Sequence, residues 1–131
     1  GKVEQLKIFN INNTRFMETI SCNIQRVSEQ LSIQSNAKEV QVSMDKLVWA
    51  NNMTFRNTSM VSSPNLKYVN NSLEFISNHF ANIDLPKLKA IGGTLRLDNN
   101  KVLSKIDMNN VSDVFGGVMI TSNNNLEKVD F

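Results

Sequence analysis

The chain is short of the residues that most often carry chemistry. Its 131 residues hold one cysteine, one histidine, one tryptophan, one tyrosine, two prolines and five glycines. A lone thiol, Cys22, excludes an internal disulfide framework; it is either a buried apolar residue or half of a bridge to a partner outside these residues. One histidine, His79, excludes a histidine-based metal centre. Pairing it with Cys22 as a thiol–imidazole couple has no supporting signature, so it reads as a solvated loop residue. No apolar run approaches the roughly 20 residues of a bilayer span. Charge of one sign is missing as well: 14 basic residues alternate with 12 acidic ones for a net +2. The densest basic stretch, Lys87, Lys89, Arg96, Lys101 and Lys105, is diluted by Asp98. Nucleic-acid binding needs a stronger field and a recognisable module, so it is not expected. There is no initiator Met and no signal peptide, and the chain stops at "KVDF" inside a unit. An excerpt of a longer protein is the expectation.

What is present is an ordinary core composition with an unusual polar one. With 40% apolar and 20% charged residues, the chain suits one globular domain large enough to bury a real core. Asparagine reaches 20 residues and outnumbers glycine and proline together, so asparagine must shape the turns. Its side chain bonds nearby backbone, and it tolerates left-handed conformations.

A repeat organises the rest. "KLKAIGGTLRLDNNKVLSKID" (Lys87 to Asp107) is followed 23 residues on by "NVSDVFGGVMITSNNNLEKVD" (Asn110 to Asp130). The pattern apolar-x-x-x-apolar-x-apolar also fits upstream, giving Val27/Leu31/Ile33, Trp49/Met53/Phe55, Val69/Leu73/Phe75, Ile91/Leu95/Leu97 and Val114/Val118/Ile120. Fifteen apolar residues out of fifteen is about a one-in-a-million result for this composition. The units step by 22, 20, 22 and 23 residues, with boundaries near 3–22, 23–45, 46–65, 66–87, 88–109 and 110–131. Asparagine stands three places after the last apolar position at Asn36, Asn78, Asn100 and Asn123, and one place early at Asn57.

Periods of this size mark a solenoid. About 22 residues at about 3.3 Å each make a path of roughly 70 Å, which must wind around a core with several short strands per turn. Val27, Trp49, Val69, Ile91 and Val114 are then one inward ladder, and the Leu-x-Ile residues are two more. Ser32, Thr54, Glu74, Arg96 and Met119 face outward, with Glu74 placed to pair Arg96 across coils. The recurring asparagine stacks at a corner and bonds backbone that the turn leaves unpaired. A leucine-rich-repeat-like solenoid is the alternative, but it wants two residues before its core motif and a helical return arm. The gap here is three, and returns such as "KVLSKID" are short. The expectation is an all-β, right-handed parallel β-helix with coils of 20–23 residues, forming one domain.

Four stretches carry a family resemblance: "KIFNINNTRFMETI", "DKLVWANNMTF", "LPKLKAIGGTLRLDNN" and "FGGVMITSNNNLEKVDF". In these the chain resembles the fungal glycosylphosphatidylinositol-anchored cell-wall and sporulation-specific proteins with receptor L-domain-like repeats. The likeness covers nearly the whole chain. It implies an L-domain β-helix, passage through the secretory pathway, and a wall or outer plasma-membrane location. It also implies a role in cell-wall or spore-wall organisation, with wall polysaccharide or other wall proteins as partners. The membrane would be reached only through a lipid anchor outside these residues. Secretion would open N-glycosylation at the sequons of Asn12, Asn52, Asn57, Asn70 and Asn110.

Chemistry is sparse. Parallel β-helices host polysaccharide hydrolases, which need two carboxylates about 5–5.5 Å or 6.5–9.5 Å apart. Asp107 and Asp130 are repeat equivalents, Asp84 falls at the same corner, and such stacking gives about 4.8 Å at the backbone. The plainer reading is turn residues in a ladder. Gly92–Gly93 and Gly116–Gly117 open no helix, so they serve tight turns and not phosphate binding. Trp49, Phe55 and Phe75 fall on inward positions, which leaves Tyr68, Phe80 and Phe115 as candidate exposed ligand-contact aromatics. No catalytic residue, cofactor or metal is expected. The leading reading is a non-enzymatic scaffold or wall-polymer contact surface. A receptor-like L domain for a protein ligand and a β-helix hydrolase are the alternatives.

Overall fold

The computed structural model describes residues 5–12, 19–34 and 40–130, and all regular structure in them is strand. Chain order gives β1 (Gln5–Asn12) and β2 (Thr19–Ser21), then β3 (Arg26–Gln34) and β4 (Gln41–Ser43). Three strands per coil follow: β5 (Trp49–Ala50), β6 (Met53–Arg56) and β7 (Met60–Ser62), then β8 (Tyr68–Val69), β9 (Leu73–Ile76) and β10 (Asn82–Asp84). The remaining coils hold β11 (Ala90–Ile91), β12 (Thr94–Asp98) and β13 (Lys105–Asp107), then β14 (Asp113–Val114), β15 (Gly117–Thr121) and β16 (Lys128–Asp130). Neighbouring coils pair in parallel. One ten-stranded sheet runs β14-β11-β8-β5-β3-β6-β9-β12-β15 with β1 also on β3, and two three-stranded sheets, β2-β4-β7 and β10-β13-β16, form another face. Short turns and three-residue strands take the place of a helical return arm, so the chain is a parallel β-solenoid and not a leucine-rich repeat.

Alternation of apolar and polar residues sets the register. Leu31, Met53, Leu73, Leu95 and Val118 align in one ladder, and Ile33, Phe55, Phe75, Leu97 and Ile120 in the next. The rings of Phe55 and Phe75 stack at 5.5 Å between centroids. Ser32, Thr54, Glu74, Arg96 and Met119 form the outward ladder between these two. On it the Arg96 guanidinium lies 3.5 Å from Glu74 and 3.3 Å from Asp98. All three side chains are part-exposed, so each contact contributes only about 0.2–1 kcal/mol.

One inward assignment, that of Trp49, needs correction. Trp49 pairs with Arg26, while the buried neighbour of Val27 and Val69 is Ala50. Apolarity alone does not carry size: alanine fits the closed slot, and the larger ring turns outward to stack against the Arg26 guanidinium at 3.8 Å. The gap from Ala50 to Met53 is therefore two residues, one fewer than in the neighbouring coils. Val118 and Ile120 hold inward register but stay 44% and 39% exposed, because no further strand stacks on β15 among the described residues.

Asparagine does build the corner. Asn78, Asn100 and Asn123 donate through Nδ2 to the carbonyls of Phe55, Phe75 and Leu97 at 3.0, 3.0 and 2.8 Å. Their Oδ1 atoms accept the backbone N–H of Thr58, Asn78 and Asn100, each at 3.0 Å. In the β5–β7 coil the ladder place belongs to Thr58, whose hydroxyl donates to Asn78 Oδ1 at 2.7 Å. Asn57, just before it, is the left-handed residue of that turn, as are Ser77, Asn99 and Ser122 in theirs, all with φ between 54° and 57°. Asn36 lies outside the described residues. A second set, Asn65, Asn110 and Asn125, donates from corner turns to the carbonyls of Asp45, Pro86 and Lys101 one coil back.

The paired glycines serve a close approach. A Cβ on Gly92 would sit 2.0 Å from the Asn70 carbonyl oxygen, and one on Gly93 would sit 2.7 Å from that of Asn71. Of the four paired glycines, Gly117 alone has a positive φ.

Candidate functional site

The face formed by β2-β4-β7 and β10-β13-β16 is broken in the middle: β7 pairs with β4 and β10 with β13, but β7 and β10 do not pair. Three positions separate Thr58 from Val61, the inward residue of β7, but five separate Asn78 from Ile83, the inward residue of β10. For Asn100 and Ile106 the separation is six. The approach to the strand thus lengthens at the break. Side-chain size changes there as well. Met44, Leu85 and Met108 follow β4, β10 and β13, yet Ser63 follows β7, buried and with its hydroxyl unpartnered.

A cleft of about 580 Å³ opens at this break. One wall carries Ser59, Met60 and Ser62, and the other His79, Asn82 and Asp84. Val102 and Phe80 contribute apolar surface. Past Asn82 and Asp84 a smaller groove of about 220 Å³ continues to Lys105 and Asp107. The His79 ring is held by Asn57 Oδ1 at 2.5 Å from Nε2. No group of metal-ligating residues occurs among the described residues. No helix is long and apolar enough to cross a membrane.

The residues singled out from sequence are scattered. Tyr68 is 43% exposed on the outward side of the ten-stranded sheet, beside Trp49. Phe115 is 74% exposed at the end of the stack. Phe80 corrects the expectation of exposure: its ring is buried edge-on against Phe75, 5.9 Å between centroids, where the longer turn folds it inward. Of the sequons, Asn70 and Asn110 are exposed, Asn52 and Asn57 are half-buried, and the Asn12 side chain lies outside the described residues. Asp84, Asp107 and Asp130 do align in register, and the first two border the smaller groove. Cys22 is free and packs half-buried against the core. The sequence alone does not single out Asn82, Met60 and Val102, which the fold brings to the cleft.

Comparison with known proteins fits this architecture. No protein-family profile matches the chain, and no solved structure gives a significant match. It is 45% identical over all 131 residues to sporulation-specific protein 22 of Saccharomyces cerevisiae and 43% identical to sporulation-specific protein 2 of the same yeast. A cell surface GPI-anchored protein of Arthroderma benhamiae is 34% identical over 119 residues, 91% of the chain. The chain spans 28%, 26% and 30% of the lengths of these relatives. With its asparagine-cornered β-solenoid, the chain belongs to the fungal family of sporulation-specific and GPI-anchored cell-wall proteins.

Proposed function

We propose that this chain is a non-catalytic module of an extracellular fungal surface glycoprotein, held at the wall or the outer plasma membrane by an anchor outside these residues. It serves wall or spore-wall assembly as a stiff scaffold that contacts wall polymers or wall proteins. The observation that carries this reading is the continuous parallel register of the ten-stranded sheet, which sets Ser32, Thr54, Glu74 and Arg96 in one outward ladder. A glycosylated sample from a secreting yeast, incubated with insoluble β-glucan, chitin and chitosan, tests it. Depletion of protein with no new reducing ends is the expected result. Sugar release that Asp107→Asn abolishes would make the module a hydrolase, since Asp84 and Asp107 border one groove.

Glycan placement follows from how each asparagine is used. Asn70 and Asn110 are exposed, and among the described residues their side chains bond one neighbour each, Asn51 Oδ1 and the Pro86 carbonyl. Asn52 is tied at both ends, accepting from Ser72 N–H at 3.1 Å and lying 3.5 Å from the Glu29 carbonyl. Glycopeptide mass spectrometry of folded, secreted chain is expected to find glycans at Asn70 and Asn110 and none at Asn52. Full occupancy of Asn52 would contradict the role of its amide between coils.

A further inference from the structure

Along both faces, neighbouring coils are zipped strand to strand; among the described residues, β7 and β10 are the exception. We propose that the cleft at this break binds a neutral hexopyranose chain, with Asn82 and Asp84 taking ring hydroxyls and Met60 and Val102 meeting a ring's C–H face. The proposal deepens the wall-surface reading and rests on it only for the source of the glycan.

A pyranose ring has two kinds of surface, equatorial hydroxyls around its edge and C–H groups above and below. A site for it pairs planar carboxylate or amide groups with apolar side chains, and sites for small ligands run to about 300–1,000 Å³. The cleft, at about 580 Å³, has both kinds of lining. Its polar groups are also uncommitted. Most described asparagine side chains in the corners bond the neighbouring coil, but the exposed Asn82 side-chain amide and Asp84 carboxylate bond nothing among the described residues. Met60 and Val102 are 36% and 49% exposed. The smaller groove continues from the same Asn82 and Asp84, so the site suits consecutive sugar units better than a single one.

Other ligand classes fit less well. No lysine or arginine lines the larger cleft, which disfavours phosphates and acidic glycans, and one carboxylate is a weak attraction for a polycation. Strand addition by a peptide needs a longer open edge than the three residues of β7 or β10.

His79 lines the cleft and is the chain's one histidine, so its ring protons form a single reporter in NMR spectra. Titration of the 131-residue chain with β-1,3- and β-1,4-linked glucohexaose is expected to shift these signals saturably. Binding should weaken about tenfold or more in the Asn82→Ala/Asp84→Ala double variant and stay unchanged in Glu127→Ala, an exposed position that lines neither groove. Both replaced residues are exposed, and amide dispersion checks that the variant folds. Absent shifts, shifts that survive the double variant, or shifts caused by a proline-rich peptide but not by glucan overturn the proposal. The double variant also enters the insoluble-polymer assay. Undiminished depletion with a silent cleft sinks this site but leaves the wall-surface reading standing. Hexaose binding at the cleft without polymer depletion does the reverse.

Discussion

Asn100→Ala is expected to lower the unfolding free energy by about 3–5 kcal/mol. The residue is fully buried, and its amide serves three partners. Its Nδ2 donates to the Phe75 carbonyl and to Asn123 Oδ1, each at 3.0 Å. Its Oδ1 accepts both the backbone N–H and the Nδ2 of Asn78, at 3.0 and 3.1 Å. Alanine strands the Phe75 carbonyl and the Asn78 N–H inside the corner, and each unpaired buried group costs about 1–3 kcal/mol. Urea unfolding followed by circular dichroism measures the loss, and a change under about 1 kcal/mol would show that water substitutes for the amide. Asn100→Asp separates shape from hydrogen bonding. It keeps the outline, but neither oxygen of a carboxylate can donate to Phe75 or Asn123. Burial raises the folded-state pKa of such a carboxyl, so folding favours its protonated form. The variant's deficit against the parent should therefore narrow as pH falls toward about 4 and be fully open at pH 7.

Gly92→Ala should destabilise the chain by a similar amount, about 3–5 kcal/mol, through a different route. The new Cβ would sit 2.0 Å from the Asn70 carbonyl oxygen and 3.0 Å from its carbon. Both are backbone atoms, so no side chain can swing aside. The coils must part, and the bonds Gly92 N–H to Val69 and Gly93 N–H to Asn71, at 2.8 and 2.6 Å, lengthen with them. Gly117→Ala is the control. Its Cβ meets nothing within 4 Å, but its φ of +98° leaves a conformational penalty of about 1 kcal/mol. Thermal unfolding of both variants decides the matter. Equal losses would mean that backbone conformation, and not coil-to-coil contact, sets the need for glycine.

Ladders were legible in the sequence because period-two alternation leaves little choice of face. Moving Leu95 and Leu97 by one place would bury Arg96. Glu74 opposite Arg96 followed from the same register. Trp49 was not legible, since a binary pattern does not distinguish a residue that fits the slot from one that overfills it, and Ala50 stood next to it. Phe80 was misread for a related reason: a turn two residues longer than its neighbour has room to fold a ring inward. The cleft was hidden deeper, because it belongs to no residue type. It lies where β7 and β10 fail to pair, which shows only once the two coils are laid side by side.

The hydrogen bonds between coils share one further property. Among the described residues, side-chain bonds from coil to coil join residues 19 to 26 apart, and none reaches further. Loop-closure entropy grows with the logarithm of loop length, so each coil closes onto the last at nearly constant entropic cost. A globular fold that brings distant ends together meets a rising penalty as it grows, but this one does not. Each further coil of such a stack would meet the same closure cost as the one before it, whatever the number of coils.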